Sequence, residues 1–219
     1  MLWPMSPEPQ TRARRSDAYR NDERILVAAR EVFAELGADA PVSAIADRAG
    51  VGMSALYRRY PSKDDLMRAI MRDTMERTER EALRALDEPD AWAGFLGFVH
   101  ACADAGITGA PRISGAVRPT EEMLARSKRA REAVQALVER TQAEGGLRAD
   151  VNAHDIVFLL GELRSQRAAK VIAPPGVQER LLGVVLDGLR APNATPLTAR
   201  PGTWEDMHEA WRAAQREHG

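Results

Sequence analysis

Cysteine is almost missing from this 219-residue chain. The single thiol, Cys102, excludes an internal disulfide framework and every multi-cysteine metal site. It fits a reducing compartment. Aromatic residues supply only 5% of the chain, too few for a strand-rich core. A charge of one sign is lacking as well: 31 basic residues face 32 acidic ones, for a net charge of -1. No wholesale basic excess therefore announces a nucleic-acid partner, and any such partner must be read from local placement. Long apolar runs are absent too. The longest uncharged one, Ala91 to Ala103, covers 13 residues and includes His100, whereas a membrane-spanning helix needs about 20. The opening MLWPMSPEPQTRARR has prolines at 4, 7 and 9 and no apolar stretch of signal-peptide length. A cytoplasmic protein with no membrane partner is expected.

What the chain does contain favours helices. It has 37 alanines and 28 arginines against 3 lysines, with Glu and Leu abundant, and all of these are good helix formers. Residues 1–15, proline-rich and then basic, show no periodicity and read as a disordered arm. Ile25, Ala29, Val32, Phe33 and Leu36 then recur at helical spacing, with Gly37 where a C-terminal cap belongs. Short helices are expected over Val42–Ala49 and Met53–Tyr60. Ser62 follows a proline and can cap a longer helix, Lys63 to about Leu86, with Asp64 and Asp65 in its first turn. Further helices are expected over about Ala91–Ala105, Thr120–Ala143, Ala153–Ala169 and Val177–Leu189. Gly106–Pro119 is a connector, 191–203 a proline-containing linker, and Trp204–His218 an amphipathic helix carrying Met207, Trp211 and Ala214. No alternating strand of useful length occurs, so the fold class is all-α.

The informative stretch is Ile45 to Tyr60. Two short helices that meet at a steep angle need a small residue where they cross, supplied by Ala46. They need a turn residue that tolerates positive φ, supplied by Gly50 four positions later. They also need apolar locks, supplied by Ile45, Ala49, Val51 and Leu56. This is the spacing of a helix-turn-helix, whose second helix enters the DNA major groove, and also of an ordinary helical corner. With the locks facing inward, Met53, Ser54, Tyr57 and Arg58 lie outward. Tyr57 and Arg59 can donate to phosphates, and Lys63 opens the next helix, where free amides also favour an anion. Arg12, Arg14 and Arg15 form a basic arm, either a DNA contact or a solvated tail.

Residues from about Asp22 to Ile70 resemble the N-terminal domain of TetR-family transcriptional regulators. The resemblance rests on Arg24-Ile25-Leu26 with Ala28-Ala29, Phe33 to Gly37, Ile45-Ala46 with Ala49-Gly50-Val51, Leu56-Tyr57 and Ser62-Lys63. It implies a homodimer on double-stranded, palindromic operator DNA, with a C-terminal helical domain that binds a small-molecule effector and supplies the dimer interface. Carried over by position, Met53 and Ser54 fall where base readers sit, Tyr57, Arg59 and Lys63 where phosphate contacts sit, and Ser43 where the second helix can touch DNA. The chain departs from the family pattern at Ser54-Ala55, often Gly-Thr, and at Pro41, commonly Thr. Arg59 stands where His is frequent and Tyr60 where Phe is frequent. The expected domains are 16–62 for DNA binding and 63–190 for ligand binding and dimerisation, with the arm before and 191–219 after.

Rival chemistry is thin. Gly50 to Ala55 matches a dinucleotide fingerprint but lacks the preceding strand. His100, His154, His208 and His218 are scattered without metal-ligand spacing. No catalytic constellation, metal site or cofactor is expected. The stripe Trp92, Phe95, Val99 is either core or pocket lining, and His100 either a core histidine or a pocket group. By analogy with the fold, Met123, Ser127, Val134, Phe158 and Glu162 join that lining. The last two helices are apolar over more than one stripe and must be buried. A partner subunit is the natural cover, over Ile156, Leu160, Leu163, Leu181, Val185 and Leu189. The expected function is a repressor released by its ligand. The alternatives are an activator, a ligand-independent DNA binder, or an all-α small-molecule binder without a DNA role.

Overall fold

The computed structural model describes residues 9–104, 116–168, 176–192, 195–206 and 209, with the side chains of 9–20, 104, 162–168 and 178 excepted. Among the described residues there are eight named α-helices and no strand: α1 (Pro9–Leu36), α2 (Val42–Ala49), α3 (Met53–Arg59), α4 (Lys63–Leu86), α5 (Ala91–Asp104), α6 (Glu121–Ala143), α7 (Ala153–Ala168) and α8 (Val177–Leu189). One isolated bridge pairs Leu147 with Arg190.

The start of α1 corrects an expectation. Residues 9–15 are helical, not a disordered arm. Missing apolar periodicity does not forbid a helix. Pro9 sits in the first turn, where its lost N–H costs no hydrogen bond, and no glycine or proline interrupts the residues that follow. Residues 1–8 lie outside the described residues, as does the whole of the stripe Met207, Trp211 and Ala214 expected in Trp204–His218.

Two apolar cores divide the chain. The first joins Ile25, Ala29, Val32 and Phe33 of α1 with Ile45, Ala46 and Ala49 of α2, Leu56 of α3, and Leu66, Met67 and Ile70 of α4. The second joins Ala82 and Ala85 of α4 with Phe95, Phe98, Val99 and Cys102 of α5, Val134, Leu137 and Val138 of α6, Ile156 and Leu160 of α7, and Leu182 and Leu186 of α8. α4 is thus common to both. Ser62 caps it by accepting from the Asp65 amide at 3.1 Å, and its 24 residues run about 36 Å. The domain boundary expected between residues 62 and 63 coincides with the start of this shared strut. α6 is shared as well. Thr120 caps its start by accepting from the Met123 amide at 3.2 Å, and Met123 itself packs into the first core.

The segment after α8 packs on the bundle. Arg148 donates to the Thr195 carbonyl at 2.5 Å, Asp150 accepts from the Leu197 amide at 2.8 Å, and Asn152 donates to the Gly202 carbonyl at 2.8 Å. Thr203 and Asp206 cap one another reciprocally and restart a helix at Trp204. The Trp204 ring lies edge-on to His154 at 5.2 Å and beneath the Arg131 guanidinium at 5.1 Å.

Candidate nucleic-acid interface

The α2–α3 corner is built from its turn outward. Gly50 ends α2 in the left-handed region, at φ 63°, a conformation that favours glycine. A Cβ there would also meet the Arg24 guanidinium at 2.8 Å. The Val51 amide returns to the Ala46 carbonyl at 3.0 Å, and Gly52 starts α3 by accepting from the Leu56 amide at 3.1 Å. Leu56 is the one buried residue of α3. With Leu56 inward, Met53, Ser54, Tyr57 and Arg58 are exposed, as the spacing predicts, and Ser43 is exposed on α2. Lys63 opens α4 half-buried, with its ammonium 6.0 Å from the centre of the Phe33 ring.

Charge pairs fasten both helices to α1. Arg48 on α2 donates to Glu35 at 3.0 and 2.9 Å and to Glu31 at 3.3 Å. These hydrogen bonds, Glu35 first, hold the guanidinium well above its usual pKa. At the other end, Arg59 donates to both carboxylate oxygens of Asp22, at 2.8 and 2.5 Å, and the Tyr60 hydroxyl donates to the same group at 2.5 Å. The hydrogen bond from Arg59 lowers the Asp22 pKa, although partial burial opposes it. Burial first, and then the bond to Asp22, raise the Tyr60 phenol. Arg59, expected at a phosphate, is here turned back onto α1 and paired with Asp22. Asp22, which joins these two donors to α1, was not singled out by motif spacing. Its only signal was one acidic residue a turn ahead of the first core position. Arg12, Arg14 and Arg15 lie in the helical start of α1, and their side chains fall outside the described residues.

The expected pocket residues separate. Phe95, Val99 and Val134 are together in the second core. Trp92 stacks on Phe95 at 5.5 Å but also lies under Arg190 at 4.7 Å, which puts it at the end of the bundle. Met123 belongs to the first core instead, because α6 begins beside α4's N-terminal half. Ser127 is half-buried and accepts from Arg131 at 2.8 Å. His100 is exposed, neither core nor lining, because α5 turns Phe95, Val99 and Cys102 inward and His100 away from them. Phe158 is 58% exposed, since α7 turns Ile156 and Leu160 to the core and leaves Phe158 on the other side. The Glu162 side chain falls outside the described residues.

The expected dimer face is corrected in the same way. Ile156 and Leu160 are 1% and 2% exposed, sealed in the chain's own core. Leu189 packs partly against that core and Val185 is half-buried. Leu181 is exposed, together with Val184 at 66% and Phe158. One apolar stripe of each helix closes the monomer and another remains outside. The Leu163 side chain falls outside the described residues.

Comparison with known proteins agrees with this geometry. Residues 25–70 match the family of bacterial regulatory proteins of the tetR type, and residues 88–191 match the C-terminal domain of SbtR-like transcriptional regulators. A TetR transcription regulatory protein from Mycobacterium vanbaalenii is 30% identical, with 80% of this chain and 98% of that one covered at a TM-score of 0.52. A TetR-family regulatory protein from Rhodococcus RHA1 is 16% identical over 79% of this chain and 98% of that one, with a TM-score of 0.54. None of the curated proteins compared matches. No helix among the described residues is long and apolar enough to cross a membrane. A helix-turn-helix with an exposed α3 surface, followed by an SbtR-like helical domain, identifies the chain as a member of the TetR family, a DNA-binding transcriptional regulator.

Proposed function

We propose that the chain is a homodimeric repressor released from a palindromic operator by a small-molecule effector. The observation that carries this reading is the sharing of α4 between the two cores. Anything that repacks the bundle must move the strut on which the DNA-binding core is built. Interiors are close-packed, so such a shift is transmitted and not absorbed. α6 provides a second path, with Met123 in the first core and Val134, Leu137 and Val138 in the second. Arg126 and Arg129 of α6 are also paired with Glu76 and Glu79 of α4.

In this reading the two α3 helices enter successive major grooves about 34 Å apart. Met53 and Ser54 face base edges, while Tyr57, Arg58 and Lys63 meet phosphates. Ser43 touches the backbone from α2. The helical start of α1 continues past the Asp22–Arg59 contact for 13 residues, about 20 Å, and carries Arg12, Arg14 and Arg15 along the DNA backbone. The partner subunit covers Phe158, Leu181 and Val184. Ligand enters the apolar interior around Phe95, Val99 and Val134. It acts through its different affinity for the operator-competent and relaxed dimers.

The test is a selection on random duplex DNA, followed by binding to the selected site with and without extract of the source cells. A repressor of this kind selects a palindrome, binds it with steep salt dependence, and is released by a small molecule in the extract. Occupancy that extract leaves unchanged favours a ligand-independent binder. Transcription that rises on occupancy identifies an activator.

A further inference from the structure

The C-terminal end of α3 is held by one carboxylate. α3 has seven residues, fewer than two turns, and a helix this short does not hold itself together. Leu56 anchors its middle. Its last residue, Arg59, and the residue that caps it, Tyr60, both reach the same Asp22 on α1, through three hydrogen bonds of 2.5–2.8 Å. Asp22 is mostly enclosed, with its side chain 20% exposed, whereas the Arg59 side chain remains 62% exposed. The guanidinium thus stands at the surface with its Nε and Nη2 committed to Asp22. Arg59 and Tyr60 are also two of the positions at which this chain departs from the family pattern. The hydroxyl of Tyr60 is a donor that Phe lacks, and it meets the same acceptor as the Arg59 guanidinium.

The arrangement has two physical consequences. The tilt of α3 against α1 depends on Asp22, and so does the direction in which Met53, Ser54 and Tyr57 point. The Arg59 charge is also neutralised locally, so it does not add to the phosphate attraction that makes binding indifferent to sequence. We propose that Asp22 is a specificity-determining positioning residue: it holds the recognition helix through Arg59 and Tyr60 and keeps the Arg59 guanidinium off the DNA backbone. The inference rests on the chain's role as a DNA-binding regulator and refines how its interface is set.

The experiment uses the full-length protein, the duplex it selects from random sequence, and a scrambled duplex of equal length. Affinity for both is measured over a range of potassium chloride concentrations. D22N releases Arg59. It binds the scrambled duplex more tightly than the wild type, with a log–log salt slope steeper by about 0.9 per protomer, one extra phosphate contact each. The preference for the selected duplex falls about tenfold, the size of one misplaced base contact. A residue that matters only for folding would weaken both duplexes together and leave the slope unchanged. R59A lowers the preference at an unchanged salt slope, and it stays informative if D22N does not fold. D22E keeps the charge and retains the wild-type slope.

Two results overturn the proposal. One is D22N with wild-type slope and preference. The other is R59A with a shallower slope, which means that Arg59 leaves Asp22 for a phosphate in the complex. A wild-type chain that selects no sequence overturns the regulator reading itself, before any variant is compared.

Discussion

The outward surface of α3 and that of the α7–α8 pair differ in kind. α3 presents a mixed set, Met53, Ser54, Tyr57 and Arg58, and polar clasps to α1 through Arg48 and Asp22 surround it. α7 and α8 present Phe158, Leu181 and Val184, exposed and apolar. A charged, hydrated duplex is recognised by donors held at fixed angles, so the first surface is stiffened by charge pairs. A second apolar surface is recognised by area removed from water, so the other needs only shape and an absence of charge. In the proposed dimer the same chain uses hydrogen-bonded geometry at one surface and hydrophobic exposure at the other. The two surfaces rest on different contacts, joined through the shared α4.

The largest separation should come from Leu56→Ala. Leu56 is fully enclosed, and its truncation removes the apolar anchor of α3 at a cost of about 2–5 kcal/mol to the first core. DNA binding is lost, while the second core keeps its helices and its association state, as read by urea unfolding and sedimentation. One cooperative loss of both cores would break the comparison, because it would mean that α4 couples them too tightly to be disturbed singly.

The converse is Val184→Asp. Val184 is 66% exposed in the single chain, so the monomer's stability changes by no more than about 0.5 kcal/mol. In the proposed dimer the new carboxylate would be buried at the interface. Association weakens tenfold to a hundredfold, about 1–3 kcal/mol. Sedimentation shows monomer, and operator affinity falls with it. A variant that still sediments as the wild-type dimer rejects this face as the interface.

Trp204→Ala sharpens the comparison further. The ring lies between Arg131 and His154, so its removal loosens the C-terminal segment from α6 and α7. Lost cation–π and packing contacts amount to about 1–2 kcal/mol, seen as a lower melting temperature of the second core. Salt-dependent binding to scrambled DNA stays unchanged. A change there would place the segment on the route to the DNA-binding surface.

The corner around Gly50 was legible because its causes are local. A left-handed glycine, a small residue four positions earlier and one inward leucine are all visible in 12 residues, Ile45 to Leu56. The bounds of α2 and α4 followed from Pro41, Gly50 and Ser62 for the same reason. The surface of α7 was not legible in that way. Its sequence shows that much must be buried, yet Ile156 and Phe158 look alike until the fold decides which one meets α5 and α6. Met123 was misplaced because nothing local reveals that α6 begins beside the first core. The pairing of Arg59 was not legible because its partner lies 37 residues away, and a spacing rule weighs each cation as though it were free.

The smallest effect tests the clasp by acid. The Asp22 carboxyl is lowered from an ordinary 3.8, first by the hydrogen bond from Arg59. A depressed carboxylate contributes stability that is fully present above the unfolded value and is lost as pH falls through the folded one. The contribution is therefore constant from neutral pH down to about 4 and disappears below that. Arg59 is largely in solvent, so water and salt screen the pair and its size is about 1 kcal/mol or less. The urea midpoint of the wild type should exceed that of D22N by a small constant margin between pH 5 and pH 7, and the margin should close towards pH 2. A margin that persists at pH 2 would mean that Asp22 acts through shape and not charge. The stiffness of the α3 surface would then rest on Leu56 alone, and the distinction between a surface held by charge and one held by burial would fail at the place where it was drawn.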